Sequence, residues 1–456
     1  MPRTHIILHQ QTHRPMRPTS VMAIGFLLII LIGTALLMLP VSSRSGTPTM
    51  PLDALFTATS ATCVTGLITV GTATHWSNFG QAVILVLIQI GGLGFMTLAA
   101  LGSFVTRRRI TLRERLVMSA GLNLTDTSGI VRLTQRILVG TFTCESVGAA
   151  LLCLRFVPRF GLRRGLKMGV FHAVSAFCNA GFDLMGVADD PFCSLVGYVD
   201  DPLVSLTIMT LIVAGGLGFI VWSDIWDKRC FRRLRLHTKL VLAATGALLA
   251  LGFVMTLLFE WSNPATLGAL PVGDKLLAAA FQTVTLRTAG FNTVDQAALS
   301  GPSQAIACVL MLIGGSPGST AGGIKTVTAA VLLLSASSAL RGQVEVDAFG
   351  RRIAPRTVMN AVTMITVGVV ISMSGACAIA FLEGVSFHQS LFEAISAFGT
   401  VGLTMGLTPS LGAASHIILI VLMYLGRVGV LTLGVAVFMR HREPPKMQYP
   451  VAEIFI

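Results

Sequence analysis

Charge is what this 456-residue sequence has least of. Asp, Glu, Lys and Arg together make up 12% of it, about half the share of a soluble globular domain. That excludes an ordinary soluble enzyme, and an apolar share of 53% excludes a disordered chain. Zinc-type spacing is also missing. The eight cysteines (Cys63, Cys144, Cys153, Cys178, Cys193, Cys230, Cys308 and Cys377) contain no C-x-x-C pair and are read as reduced thiols within a membrane. His75, His172, His237, His388 and His416 show no metal-ligand spacing and are read as structural or interfacial. The first apolar run, residues 21–39, follows Arg14 and Arg17 without a small-residue cleavage site, so it reads as a true span and not a signal peptide. What the sequence does have is apolar runs of bilayer-crossing length throughout, with a mean hydropathy of +0.78. This is an all-α polytopic membrane protein.

The net charge of +13 would suit a nucleic-acid binder, but its distribution excludes nucleic acid as a partner. The basic residues sit in short clusters between apolar runs, as the positive-inside rule expects. The N-terminal arm and the segments 107–115, 228–239, 341–356 and 440–446 are assigned to the cytoplasm, with both termini inside. The basic stretch 155–167 then faces outward, against the rule.

An internal repeat sets the architecture. SATCVTGL, SAFCNAGF, TLRTAGFN and SAFGTVGL each carry one equivalent glycine, Gly66, Gly181, Gly290 and Gly402, spaced by 115, 109 and 112 residues. A second landmark follows each: IGGLGFMTL, AGGLGFIVW, IGGSPGSTAGGIKT and LGRVGVLTL. Hydropathy within each repeat runs long, short, long. The long runs are 21–39 and 82–105, 137–157 and 203–222, 240–259 and a run from 305, then 358–382 and 416–439. The short ones, 52–62, 168–178, 275–285 and 388–398, cannot cross and must be re-entrant. The predicted fold has eight transmembrane helices plus four re-entrant pore half-helices around a pseudo-fourfold pore. The divisions are an N-terminal arm at 1–20, pore repeats at 21–116, 117–235, 236–345 and 346–441, and a C-terminal tail at 442–456. Most acidic residues of the loops (Asp183, Asp189, Asp190, Asp200, Asp201, Glu260, Asp274, Asp295, Glu383) fall on the outer side, where an acidic mouth concentrates cations.

Irregular backbone at membrane depth is tolerated only where it lines water or is buried in protein. Four such loops around one axis bring four sets of carbonyls together, and carbonyl rings replace a cation's hydration shell. The half-helices point the negative ends of their dipoles at the same centre. These features predict a site for a monovalent cation and no covalent chemistry, hence no enzyme.

TSATCVTGL, FHAVSAFCNAGFDL, RTAGFNTVD, ISAFGTVGLTMGLTP, GGSPGSTAGGIKT and LGRVGVLTL resemble the KtrB/TrkH superfamily of potassium transporters, in its KtrB branch, from about residue 21 to the C-terminus. A short polar arm precedes the first span, as in that branch. The resemblance implies that Gly66, Gly181, Gly290 and Gly402 are the filter glycines. It implies that the carbonyls of Val64 and Thr65, Asn179 and Ala180, Thr288 and Ala289, and Thr400 and Val401 line the ion path. Glycine at all four positions favours K+ over Na+, because some sodium-preferring relatives carry Ser at the first. The resemblance further implies a homodimer in the bacterial inner membrane, embedded in lipid, with a pore in each protomer. A cytosolic ring of KtrA-type subunits would carry the regulatory nucleotides. This chain itself would bind no cofactor, K+ being the transported ion and Na+ a candidate activator.

The second long run of the third repeat is interrupted by Gly314, Gly315, Ser316, Pro317, Gly318, Ser319, Thr320, Ala321, Gly322 and Gly323. Gly and Pro break a helix, and such a segment changes backbone state at low cost, so residues 314–323 are read as a mobile intramembrane gate. Lys325 follows it. Ile324 between Gly323 and Lys325, with no preceding strand, argues against a phosphate-binding P-loop. Arg427 stands where the first two repeats have glycine; facing the pore, it opposes cations and helps hold the gate closed. Arg287, inside the third filter segment, is expected to point away from the pore and brace the loop, with Asp295 as a candidate outward partner. Glu145 lies within a span and has no partner legible in the sequence. The competing readings are an ion-coupled secondary transporter, a sodium-conducting relative, and a membrane-embedded enzyme. The first usually shows inverted repeats, and the last needs convergent acids, bases or metal ligands.

Overall fold

The computed structural model describes residues 18–94, 111–121, 129–343 and 345–429. Within them one unit recurs four times: a long helix, a half-helix that ends in mid-protein, an irregular loop, and a second helix. Repeat 1 comprises α1 (Pro18–Leu37), α2 (Pro51–Cys63) and α3 (Asn78–Leu93), and α4 (Leu112–Gly121) leads on to repeat 2. Repeat 2 comprises α5 (Ile130–Phe160), α6 (Leu162–Phe177), α7 (Pro202–Gly216) and α8 (Phe219–Lys228). Repeat 3 comprises α9 (Leu236–Glu260), α10 (Val272–Thr285), α11 (Gly301–Leu312) and α12 (Thr326–Leu340). Repeat 4 comprises α13 (Pro355–Glu383), α14 (Phe387–Gly399) and α15 (Ala413–Val428). A two-stranded hairpin pairs Asp347–Ala348 with Arg351–Arg352 between repeats 3 and 4. The expected repeat boundary at 116/117 cuts through α4, whose first turn is held by Thr111 and Glu114. The 235/236 boundary coincides with the start of α9.

The half-helices α2, α6, α10 and α14 contain 13, 16, 14 and 13 residues. At 1.5 Å per residue they reach roughly 20–24 Å, short of the hydrocarbon thickness of a bilayer. Their C-terminal halves are almost wholly buried and form the centre of the molecule. α6 begins directly after Gly161, six residues earlier than expected, so Arg163, Arg164 and Lys167 belong to the half-helix itself.

Among the described residues four unbroken helices are long and apolar enough to cross a membrane, and they are the first helices of the four repeats. The second crossings correct the sequence reading. The runs 82–105, 203–222 and 416–439 are not continuous helices, because their helices stop at Gly94, Gly218 and Gly429. These glycines share one backbone state: φ 79, 93 and 89° with ψ 133, 138 and 131°. Only glycine enters that region without strain. In repeat 2 the chain resumes as α8 after a 92° bend; residues 95–105 and 430–439 lie outside the described residues.

The second landmark also has a packing function. A Cβ on Gly91 would collide with the Thr62 carbonyl, one on Gly215 with that of Phe177, and one on Gly426 with that of Phe398. Each glycine lets the second helix press against the last turn of its own repeat's half-helix, the close approach that small residues permit between membrane helices.

Three carboxylates expected at an acidic mouth are used otherwise. Asp201 caps α7 through the Leu203 and Val204 amides and pairs with Arg155 at 2.5 Å. Glu260, at the end of α9, accepts from the Ser300 amide and hydroxyl at the start of α11. Glu383, at the end of α13, accepts from Gly412 and Ser415 at the start of α15. They tie helix ends together, while Asp189, Asp190, Asp200 and Asp295 remain exposed.

Candidate ion-conduction site

Each half-helix ends by turning left-handed at a residue that is not glycine. Val64, Asn179, Thr288 and Thr400, each two positions before its repeat's glycine, have φ of 58, 57, 63 and 52°. Three of the four are β-branched, for which this region is a genuine outlier costing about 1–2 kcal/mol per residue. The turn is held by a matched pair of bonds in three repeats. Val64 N donates to Ala61 O and Thr65 N to Ser60 O, with the same pattern at Asn179/Ala180 and Thr400/Val401. This is the Schellman closure that normally uses glycine. The third repeat closes instead by Ala289 N donating to Thr285 O. Two positions on, Gly66, Gly181, Gly290 and Gly402 again have positive φ, at 94, 69, 83 and 93°. The residue between them, Thr65, Ala180, Ala289 or Val401, is not left-handed.

The four loops meet in a closed ring. A Cβ on Gly66 would lie 2.5 Å from Ala180 O, one on Gly181 2.8 Å from the Gly290 Cα, and one on Gly290 2.5 Å from Val401 O. One on Gly402 would collide with Thr65 O, which returns the circuit to repeat 1. Each repeat thus touches the next, the fourth touches the first, and the contacts are backbone to backbone. All twelve residues expected to line the ion path lie in these loops and are buried. Four helix C-termini, each carrying partial negative charge, converge on the same centre.

Two braces stand behind the ring: Glu393 escaped the sequence reading, and His172 was read there only as structural or interfacial. Glu393, nine residues before Gly402 and fully buried, accepts from the Met405 amide and from Thr404 and Thr408. His172, nine residues before Gly181, donates from Nδ1 to Met168 O at 2.7 Å and accepts the Leu184 amide at Nε2, 3.3 Å away. Both tie the half-helix to the amide three residues past the glycine. That pattern of bonds makes His172 a neutral imidazole.

Beneath the ring lies the segment from Gly314 to Gly323. Ser316 N donates to Gly216 O, Thr320 N to Gly215 O, and Thr320 Oγ1 to Phe177 O. Gly318 O accepts from Phe219 N. On the other side, a Cβ on Gly322 would collide with Thr400, and one on Gly323 would lie 3.1 Å from Gly399 O. The segment therefore touches the half-helix ends of repeats 2 and 4. Arg427 extends the span: its guanidinium donates to Thr320 O and to the carbonyls of Gly91 and Gly92, the last at 3.2 Å. Arg427 is thus a direct tether between the loop and repeat 1. Lys325 donates to Ala321 O at 2.7 Å within the loop.

Arg287 corrects another expectation. It is buried at 7% exposure, forms no ion pair with Asp295, and its Nε has no partner. The Asp295 carboxylate accepts from the Ala297 amide instead. The partner missing for Glu145 is Gln89, whose Nε2 donates to both carboxylate oxygens at 3.0 and 3.2 Å.

Four re-entrant loops closed around one axis, inside a multi-pass helical protein, place the molecule in the class of pore-loop membrane proteins. Residues 5–448 match the TrkH family model, described as a cation transport protein, and the chain belongs to that family. It is 43% identical over 438 residues to the Ktr system potassium uptake protein B of Bacillus subtilis, covering 96% of each chain. It is 40% identical to the protein of the same name from Vibrio alginolyticus, over 94% of this chain and 93% of that one. It is 39% identical to the potassium/sodium uptake protein NtpJ of Enterococcus hirae, over 99% of both. Its fold is similar to the crystal structure of the potassium transporter TrkH from Vibrio parahaemolyticus. The TM-score is 0.70 at 18% identity, covering 94% of this chain and 86% of that one.

Proposed function

We propose that this chain is the potassium-translocating subunit of a Ktr-type uptake system in the bacterial inner membrane, with both termini in the cytoplasm. The observation that carries the reading is the closed backbone ring of Gly66, Gly181, Gly290 and Gly402 at the ends of four half-helices. Carbonyls of Thr65, Ala180, Ala289 and Val401, backed by those of Val64, Asn179, Thr288 and Thr400, replace the water shell of K+. The loop 314–323 is the gate and Arg427 its latch. Two relatives at 40% identity or more are named potassium uptake proteins, which supports K+ as the cargo. We further propose a homodimer regulated by a cytosolic ring of KtrA-type subunits that carry the nucleotides, with Na+ as a candidate activator. A sodium-conducting alternative has one specific support, the potassium/sodium name of the E. hirae relative.

The test is uptake of K+ and Na+ into proteoliposomes holding the purified chain, with valinomycin as the control for vesicle integrity. Uptake favouring K+ is expected. Equal uptake of both ions would favour the sodium-conducting alternative. No cation flux from a variant with a shortened gate loop would overturn the proposal.

A further inference from the structure

The face from which the half-helices enter carries a cavity of about 700 Å³ between repeats 1 and 2, a size typical of small-molecule sites. Four cations line it: Arg44, Arg163, Arg164 and Lys167. Among the described residues none of them lies within ion-pair distance of a carboxylate; the five ion pairs present involve other cations. Lys167 Nζ donates to Asn78 Oδ1 at 2.6 Å, and Arg44 Nε reaches Trp76 O at 3.4 Å. Arg163 and Arg164 sit in the first turn of α6, where the free amides and the helix dipole add to the positive field. This is the outward basic segment that the positive-inside rule leaves unexplained.

Four like charges around one cavity, none paired with a carboxylate among the described residues although Arg164 lies over the Phe160 ring 5.2 Å away, repel each other, and they sit beside the loops that follow Gly66 and Gly181. We propose that the cavity binds a phosphate group, supplied by the headgroup of an anionic phospholipid. Guanidinium forks and an ammonium match phosphate oxygens. Two further observations favour lipid over free phosphate. Ala73, Met168, Leu184, Val187 and Ala188 give the wall an apolar part beside Thr74, Asn78 and Gln81, and the cavity is far larger than a phosphate ion. Leu162, Leu166 and Val170 on the same half-helix are 65, 46 and 45% exposed, an apolar border suited to acyl chains. The bound headgroup neutralises the cluster and leaves the exposed carboxylates of the nearby loops to set the potential there.

Native mass spectrometry of the full-length chain, released from nanodiscs of phosphatidylglycerol and phosphatidylcholine, reads the binding without reference to ion flux. One phosphatidylglycerol is expected to survive delipidation per chain. R163Q/R164Q, which alters two exposed side chains, is expected to bind it about tenfold more weakly. R163K/R164K should retain most of the binding, and R232Q/R233Q, in a basic cluster elsewhere in the chain, should match the wild type. Inorganic phosphate is the second arm. A rise in melting temperature with millimolar phosphate, absent in R163Q/R164Q and unaccompanied by any phosphatidylglycerol preference, would keep the phosphate site and assign it to the free ion. Equal retention of both lipids with no phosphate response, or any response unchanged in R163Q/R164Q, would overturn the proposal.

Discussion

Gly66→Ser tests the ring at a point where the structure gives its cost. The residue has φ +94°, and a Cβ there would lie 2.5 Å from the Ala180 carbonyl oxygen. That is roughly 1 Å inside ordinary van der Waals separation. The left-handed backbone alone costs about 1–2 kcal/mol for a residue with a Cβ, and relief requires the Ala180 oxygen to move. Since Ala180 is itself one of the proposed carbonyl ligands, the strain falls on the coordination of the ion. A site energy altered by about 1.4 kcal/mol changes a preference tenfold. The K+ to Na+ uptake ratio in proteoliposomes should therefore fall by about an order of magnitude, while the variant still elutes as the assembled protein. Gly46→Ser is the matched control, because Gly46 has φ +71° but nothing within 4 Å of its added Cβ. It carries the backbone strain without touching the ring and should leave the ratio unchanged. An unaltered ratio in Gly66→Ser, or an equal fall in Gly46→Ser, would refute the reasoning.

Four other perturbations bear on the same parts. Deleting three or four residues within 314–323 should raise K+ flux in the absence of any partner; a folded variant with unchanged or lower flux counts against the gate. Arg427→Gln weakens the bonds to Thr320, Gly91 and Gly92. At about 1.5–3 kcal/mol for a bond to a charged group, loss of the Thr320 tether should raise basal flux tenfold or more, measured by ⁸⁶Rb+ uptake. Glu393→Ala leaves the Met405 amide and two threonine hydroxyls without their acceptor. At about 1–3 kcal/mol per buried group, it should lower the melting temperature and degrade selectivity together, whereas a purely structural brace would move the first alone. Gly215→Ala drives a methyl into the Phe177 carbonyl, while Gly246→Ala, in α9, meets open space. The first should destabilise by about 1–3 kcal/mol and the second be neutral or stabilising by up to about 1 kcal/mol, as read from thermal unfolding in detergent.

The fourfold plan was legible because it rests on residues that cannot be exchanged. A glycine at φ 69–94° packed against its neighbour's backbone is strained by any side chain, so the same letter stands in all four repeats. The short apolar runs were legible as well, except for the charged first turns of α6, which hydropathy left in the preceding loop. The braces were not, because a histidine and a glutamate fulfil one task at equivalent positions. Accepting an amide proton asks only for a lone pair at the right height. The glycine corners at Gly94, Gly218 and Gly429 were visible as letters, but hydropathy averages over them and reads the flanking runs as one span. Arg287 and Glu145 illustrate a third limit. A charge inside a span announces itself, yet its partner is set by which helices pack together, and Gln89 comes from a different repeat.

The four second crossings differ in a way that would let the proposed gate sit in one repeat alone. In repeats 1, 2 and 4 the second helix stops at a glycine with the same φ and ψ. Each corner leaves its helix pressed against its own half-helix through Gly91, Gly215 or Gly426. In repeat 3 the equivalent glycine, Gly314, is pressed against Gly322, a residue of the same loop. The helix α11 stops at Leu312 and α12 begins only at Thr326. The extra chain makes its hydrogen bonds to repeat 2 and, through Thr320, to Arg427 of repeat 4, which also holds repeat 1. An axis shared by four subunit-like repeats is closed by any one object placed across it, so symmetry need be broken only once. The glycine content of the loop follows from the same geometry, since Gly315, Gly322 and Gly323 all lie where a side chain would strike a neighbour. Under the proposed gating, opening asks for the loss of a few backbone bonds at one loop, with the ring above it left intact.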